Sequence, residues 1–153
     1  MTPSDRLTPV LVIHGPNLNM LGTREPTIYG HTTLEVINRN LVQIGKGLAL
    51  AVDTFQSNHE GEIVEKIQQA PGAYQGLIIN PAAYTHTSVA IRDALLLLDM
   101  PVVEVHLSNI YKREDFRHRS MVSGVVTGQI TGFGVQGYAL ALQALSHHLT
   151  EGK

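Results

Sequence analysis

The chain has 153 residues, 43% of them hydrophobic and 16% charged, with a formal net charge of −2. That length suits one soluble domain with a sizeable core. The charge balance lacks the cationic footprint of a nucleic-acid binder, and the absence of cysteine excludes a disulfide framework and a thiolate metal site.

The opening stretch, Met1 to Arg6, has no apolar run, so no signal peptide is expected. No aliphatic run is longer than that of Ala94 to Leu98, which is too short to span a bilayer, and a cytoplasmic protein with no membrane partner is expected. Val10 to Ile13 reads as a short buried strand. The stretch that follows, Ile13 to Gly30, is long for a strand-to-helix connection, which usually takes ~2–6 residues. Its three glycines and two prolines resist both helix and strand. It carries two amides (Asn17, Asn19), a cation (Arg24) and a phenol (Tyr29). A solvated surface loop has little need of that mix, and the stretch reads as an active-site lid hinged at Gly22 and Gly30.

Thr32 and Glu35 then form a capping-box pattern. Leu34, Ile37, Leu41, Ile44 and Leu48 follow at the spacing of an amphipathic helix. Leu50 to Phe55 reads as strand two. Ile63, Ile67 and Ala70 mark helix two, closed by Pro71-Gly72. Gly76 to Ile79 is strand three, and Asn80 to Thr87 a polar turn. Ser88 or Thr87 caps helix three, which runs through Leu98. Pro101 to Val105 is strand four, Lys112 to Arg119 a short charged helix, and Ser123 to Thr127 strand five. Tyr138, Leu142, Leu145 and Leu149 line the last helix. Five such βα units imply a parallel sheet covered on both faces. A Rossmann half is the other small-sheet option, but five strands in this length favour a flavodoxin-like three-layer sandwich spanning 1–153 as a single domain.

In such sheets the ligand sits beyond the carboxyl ends of the strands. The loops leaving strands one, three and four are the chemically loaded ones. His106 closes strand four two residues after Glu104, so period two puts both side chains on one face. A carboxylate that close fixes an imidazole's tautomer and raises its basicity. The backbone N–H groups of Leu107 and Ser108, at the start of a possible helix, suit an anion such as a carboxylate. Arg113 and Arg117, four apart, share a face if helical; they either reach an acidic substrate or form a solvated charge face with Glu114 and Asp115. Asp93 beside Arg92 reads as a surface helix charge. Tyr29 near Arg24 is a candidate general base, because a guanidinium favours phenolate.

Two other arrangements compete with this reading. His14, His86 and His106 lie on adjacent loops, and three histidines can hold a catalytic zinc, although no local His spacing supports it. Gly132 to Gly137 matches the dinucleotide pattern G-x-G-x-x-G, but the strand and acid that should follow are absent before Lys153, so a tight turn into the last helix is the simpler reading.

Several separated blocks together resemble the type II 3-dehydroquinate dehydratases of the shikimate pathway of aromatic biosynthesis. They are Gly15-Pro16-Asn17-Leu18-Asn19 with Gly22-Thr23-Arg24-Glu25-Pro26 and Ile28-Tyr29-Gly30; Asn80-Pro81-Ala82-Ala83-Tyr84-Thr85-His86-Thr87-Ser88; Glu104-Val105-His106-Leu107-Ser108-Asn109-Ile110; and Arg113-Glu114 with Phe116-Arg117. The resemblance runs from about Pro9 to Leu149. Ala82 stands where the family commonly has Gly, and Tyr111 where it commonly has His.

The resemblance implies a lyase that converts 3-dehydroquinate to 3-dehydroshikimate without cofactor or metal. It implies anti elimination through an enolate, in a dodecamer built as four trimers. Tyr29 beside Arg24 would take the proton, Asn17 would hold a water against the enolate oxygen, and His106, held by Glu104, would protonate the leaving hydroxyl. Asn80, His86 and Arg117 match contacts to the ring hydroxyls, and Leu107 and Ser108 match the carboxylate site. Arg113 matches a second cation near the lid tyrosine, and Asp93 a residue reaching the site of a neighbouring subunit.

The alternative route to this product uses a lysine Schiff base on a larger barrel. None of Lys46, Lys66, Lys112 and Lys153 lies at a strand end in an apolar setting. A phosphoacceptor module would want clustered acids after strand one, where this chain has His14-Gly15-Pro16-Asn17.

Overall fold

The structure is a computed structural model describing residues 6–23 and 31–151. Arg24, Tyr29 and the second expected hinge, Gly30, lie outside the described residues. In chain order the elements are β1 (Thr8–His14), α1 (Leu34–Gly47), β2 (Leu50–Gln56), α2 (Glu60–Gln68), β3 (Gly76–Asn80), α3 (Val89–Leu96), β4 (Val102–His106), β5 (Gly128–Thr131) and α4 (Gln136–Glu151). The sheet order is β2-β1-β3-β4-β5, and every pairing is parallel. This is the flavodoxin-like order expected from the strand count.

Period-two side-chain alternation divides the core between the two faces of the sheet. Val10, Val12, Ile78, Val103 and Val105 pack against Ile37 and Leu41 of α1 and Ala141, Leu142 and Leu145 of α4. Leu11, Ile13, Leu77, Ile79 and Val102 pack on the other side against Ile63 and Ile67 of α2 and Ile91 and Leu95 of α3. A fully buried aliphatic side chain contributes roughly 1.5–3 kcal/mol, so the sheet's three central strands, almost wholly buried, are a rigid base for the loops at their ends.

Four local expectations are corrected. The cap of α1 is Thr33, whose hydroxyl accepts from the Val36 N–H at 3.3 Å, one residue later than the Thr32 capping box. The segment from Lys112 to Arg119 is not one helix but part of two 3-10 turns, Ile110–Lys112 and Asp115–Arg117, separated by extended backbone at Arg113 and Glu114. The Asn109 side chain accepts from the Tyr111 N–H and starts the first turn, so the ordered turn after β4 begins at Ile110 rather than at Leu107. Strand five is Gly128–Thr131, not Ser123 to Thr127. Ser120 Oγ accepts from the N–H groups of Val122 and Ser123, coiling Ser123–Val125 into a 3-10 turn, while Val125 and Val126 pack on the core.

Candidate active site

The carboxyl ends of β1, β3 and β4 meet at a cavity of about 110 Å³ whose walls include Asn17, Asn80, His86, His106, Leu107, Ser108, Arg113 and Arg117. The loops after β1 and β3 close on each other at Gly15. Its N–H donates to Asn80 O at 2.8 Å, and a Cβ there would lie 2.5 Å from Pro81 O. Only glycine permits that approach.

The loop after β1 is anchored as well as polar. Leu18 opens a 3-10 turn and Leu21 caps it, and both are buried in the core on the α1 side. Asn17 takes φ 68°, a left-handed conformation that asparagine tolerates. Its backbone N–H donates to Asn58 Oδ1 at 2.9 Å. Asn58 in turn accepts from Gln56 Nε2 on Oδ1 and from the Tyr84 hydroxyl on its carbonyl. Gln56, Asn58 and Tyr84 thus tie the loops after β1, β2 and β3 together. Sequence reading missed Gln56 and Asn58, because their partners are distant in the chain.

His106 and Glu104 project from the same face of β4, as period two requires. His106 Nε2 lies 2.5 Å from Glu104 Oε2, and both residues are buried. The same carboxylate oxygen also accepts from Ser120 Oγ at 2.9 Å and Gln129 Nε2 at 3.2 Å. Ser120 and Gln129 carried no local signal in the sequence. Glu104 is therefore enclosed behind His106, and His106 is the member of the pair that meets the cavity.

His86 donates from Nδ1 to Arg119 O at 2.8 Å. Burial, above all, holds its pKa below the usual histidine value, with the charges of His106 and Arg117 acting in the same direction. A neutral ring that donates from Nδ1 leaves Nε2 as an acceptor. Arg113 and Arg117 both line the cavity although they share no helix. Arg117 Nε donates to Glu114 Oε1 at 3.0 Å, and Arg113 Nε lies 3.8 Å from the same oxygen. The Glu114 carboxyl is held below its usual pKa, first by its own backbone N–H and then by Arg117. Asp93 is exposed on α3 and is not part of this cavity's lining.

His14 turns away from the cavity. It is fully buried, with Nδ1 2.8 Å from the Tyr138 hydroxyl and Nε2 2.8 Å from Asn38 Oδ1. Burial lowers its pKa to about 4 against the weaker opposing effect of the Asn38 bond. It does not join His86 and His106, and among the described residues no group of three His, Cys, Asp or Glu is placed to hold a metal ion. The Gly132 to Gly137 stretch is a turn into α4 that braces the loop after β4: Gly132 N–H donates to His106 O, Gly134 N–H to Leu107 O, and Thr131 Oγ1 to Ser108 O.

The arrangement offers a buried imidazole–carboxylate pair, two guanidinium groups, a neutral imidazole acceptor and two amides around one small cavity. That set suits a polyhydroxylated anionic ligand and proton transfer to or from it.

The dehydroquinase class II family model matches residues 8–146. A 3-dehydroquinate dehydratase of Acaryochloris marina is 61% identical over 140 residues, covering 92% of this chain and 94% of the relative. One from a Nostoc species is 59% identical over 92% of this chain and 95% of its own length. Among solved structures, the type II dehydroquinase from Propionibacterium acnes superposes with a TM-score of 0.90 at 46% identity, covering 93% of this chain and 98% of that one. Near-complete coverage in both directions, at these identities, leaves the fold and the site loops within one lineage: the chain belongs to the dehydroquinase class II family.

Proposed function

We propose that the chain removes water from 3-dehydroquinate to give 3-dehydroshikimate, by anti elimination through an enolate. The observation that carries this reading is the buried Glu104–His106 pair at the carboxyl edge of the sheet, with His106 facing a cavity that Arg113, Arg117, Asn80 and His86 also line, in a chain of this family.

In this reading Tyr29, kept ionisable by Arg24, takes a proton from the carbon beside the ketone. The electron pair moves onto the ketone oxygen as an enolate, against a water held by Asn17. The enolate then expels the β-hydroxyl, which leaves as water on receiving the His106 proton. Glu104 stabilises the imidazolium that delivers it. Each general acid or base contributes ~10²–10⁴-fold, and the remainder comes from positioning and enolate stabilisation. The substrate carboxylate binds the N–H groups of Leu107 and Ser108, and Asn80, His86 and Arg117 hold the ring hydroxyls. In this reading Arg113 supplies a second cation for the lid tyrosine. Proton transfer and C–O cleavage need only these side chains, so no cofactor or metal is called for.

The reading extends to a cytoplasmic dodecamer of four trimers, in which Asp93 reaches a neighbouring subunit's site. Val89, Asp93 and Leu96 of α3 and Leu97, which caps it, form one exposed stripe, with Leu96 58% and Leu97 68% exposed. A mostly apolar stripe of this kind favours cover by another copy, and sedimentation of the purified protein measures the assembly.

Treatment with borohydride in the presence of 3-dehydroquinate separates this elimination from the Schiff-base route. Activity that survives the treatment is expected. Inactivation that requires substrate would mean a lysine imine and would overturn the enolate route.

A further inference from the structure

The side chains of His14 and Asn80 are cross-strand neighbours at the ends of β1 and β3. Both turn toward Tyr138, a fully buried residue of α4. The directions of the hydrogen bonds in this cluster follow one from another. Asn38 Oδ1 can only accept, so His14 Nε2 carries the proton that it shares with Asn38 at 2.8 Å. Burial keeps the ring neutral at ordinary pH, so Nδ1 is an acceptor and the Tyr138 hydroxyl, 2.8 Å away, donates to it. The hydroxyl oxygen then accepts from Asn80 Nδ2 at 3.1 Å. At the other end of the same amide, Asn80 Oδ1 accepts from the Ala82 N–H at 3.1 Å. The amide is thereby held in one of its two orientations. Its oxygen is engaged by backbone, one N–H is engaged by Tyr138, and the second N–H is the group left for the cavity that Asn80 lines.

We propose that Tyr138 is a positioning residue: the relay Asn38–His14–Tyr138 fixes the Asn80 amide so that the site offers a hydrogen-bond donor there and selects an oxygen acceptor, a hydroxyl or carbonyl, on the ligand. The proposal rests on the reading of this cavity as the 3-dehydroquinate site. It also complements His86, whose Nε2 is left as an acceptor, so that the two residues offer one donor and one acceptor to a hydroxyl-bearing ring.

A double-mutant cycle on steady-state kinetics with 3-dehydroquinate tests it, using Tyr138→Phe, Asn80→Ala and the pair. Tyr138→Phe keeps the ring in the core and removes only the hydroxyl. The expected result is a KM raised by roughly tenfold, the worth of one neutral hydrogen bond, with kcat changed much less, as for loss of uniform binding. In the Asn80→Ala background the same substitution should leave KM unaltered. Equal losses in both backgrounds would mean a merely structural role for Tyr138 and would overturn the proposal. A KM unaltered by Tyr138→Phe beside one raised by Asn80→Ala would overturn the relay alone. A KM unaltered by Asn80→Ala would overturn the substrate contact on which the relay depends.

The second measurement needs no variant. In histidine-labelled wild-type protein at neutral pH, ¹⁵N spectra should show His14 with Nε2 protonated and Nδ1 bare. The opposite tautomer would reverse the direction of the relay and overturn the proposal even if Tyr138→Phe does not fold.

Discussion

Glu104 receives His106, Ser120 and Gln129 on one carboxylate oxygen, Oε2, while Oε1 is buried without a hydrogen-bond partner among the described residues. The two oxygens are therefore not equivalent. A Glu104→Gln side chain can keep its carbonyl oxygen where Oε2 lies, but its NH₂ then occupies a buried position with nothing to accept from it. The negative charge that supports a protonated His106 is lost as well. The expected outcome is a fall in kcat on the order of 10²-fold, at the lower end of what a general acid contributes, with a smaller change in KM. Steady-state kinetics on protein shown to be folded by circular dichroism checks it. A kcat within about twofold of wild type would remove Glu104 from the proton-delivery role, since acid assistance alone is worth ~10²-fold or more.

The buried His14 makes stability depend on pH. Burial holds its pKa at about 4 in the folded chain, against 6.5 for an accessible ring. Above pH 6.5 both states are neutral and the group exerts no pH-dependent effect. As pH falls from 6.5 toward 4, the unfolded chain takes up a proton that the folded chain refuses, so stability falls; below about 4 both states are protonated and the loss levels off. At ~1.36 kcal/mol per pH unit the total is on the order of 3 kcal/mol. Urea unfolding at fixed protein concentration, compared between wild type and His14→Asn over pH 7 to 4, isolates this contribution from that of the carboxylates. A wild-type slope no steeper than the variant's would contradict it.

Ala82 has φ 53° and Ala49 φ 60°, both in the left-handed region that costs a Cβ-bearing residue ~1–2 kcal/mol. At Ala82 the strain is sustained by the N–H bond to Asn80 Oδ1; Ala49 lies between α1 and β2, at the opposite end of the sheet from the cavity. Glycine relieves the strain while adding freedom to the unfolded chain, and each of Ala82→Gly and Ala49→Gly is expected to stabilise by about 1 kcal/mol. Thermal unfolding of the two variants measures it, and a lowered midpoint at Ala82 would mean that the methyl group's packing outweighs the strain.

The converse substitution is costly at Gly15. A Cβ 2.5 Å from Pro81 O, a backbone atom, forces the loops after β1 and β3 apart. Overpacking of this kind costs ~1–3 kcal/mol, and here it displaces Asn17 and Asn80 together. Gly15→Ala should therefore lose both thermal stability and substrate affinity, read as a lower melting midpoint and a raised KM on the same preparation.

The residues whose meaning was visible in the sequence are those whose signal is local. Glu104 and His106 are two apart on a strand, and Leu34, Ile37 and Leu41 repeat along one helix face, so spacing alone carried them to the correct side. β5 is hard to place from sequence because Gly128 and Gln129 are exposed on an edge strand, whereas the more apolar Val125-Val126 packs on the core from outside the strand. Tyr138 could be read only as one more member of an apolar helix stripe, since its hydroxyl partners lie 124 and 58 residues away. The same holds for Asn58, which meets Asn17 across 41 residues. His14 was misleading for a related reason: it ends a strand at the ligand-binding edge, but its side chain points to the α4 side, where Tyr138 and Asn38 take both nitrogens.

The measurement that bears most directly on the proposed reaction is the ultraviolet absorbance of purified protein mixed with 3-dehydroquinate, with Tyr29→Phe run in parallel. The product is a conjugated enone carboxylate and absorbs where the substrate does not. A steady rise with wild type, slowed by ~10²-fold or more in the variant as loss of a general base requires, is the expected result. No rise with folded wild-type protein would contradict the dehydration itself, and an equal rise in both proteins would leave the reaction standing but take Tyr29 out of it.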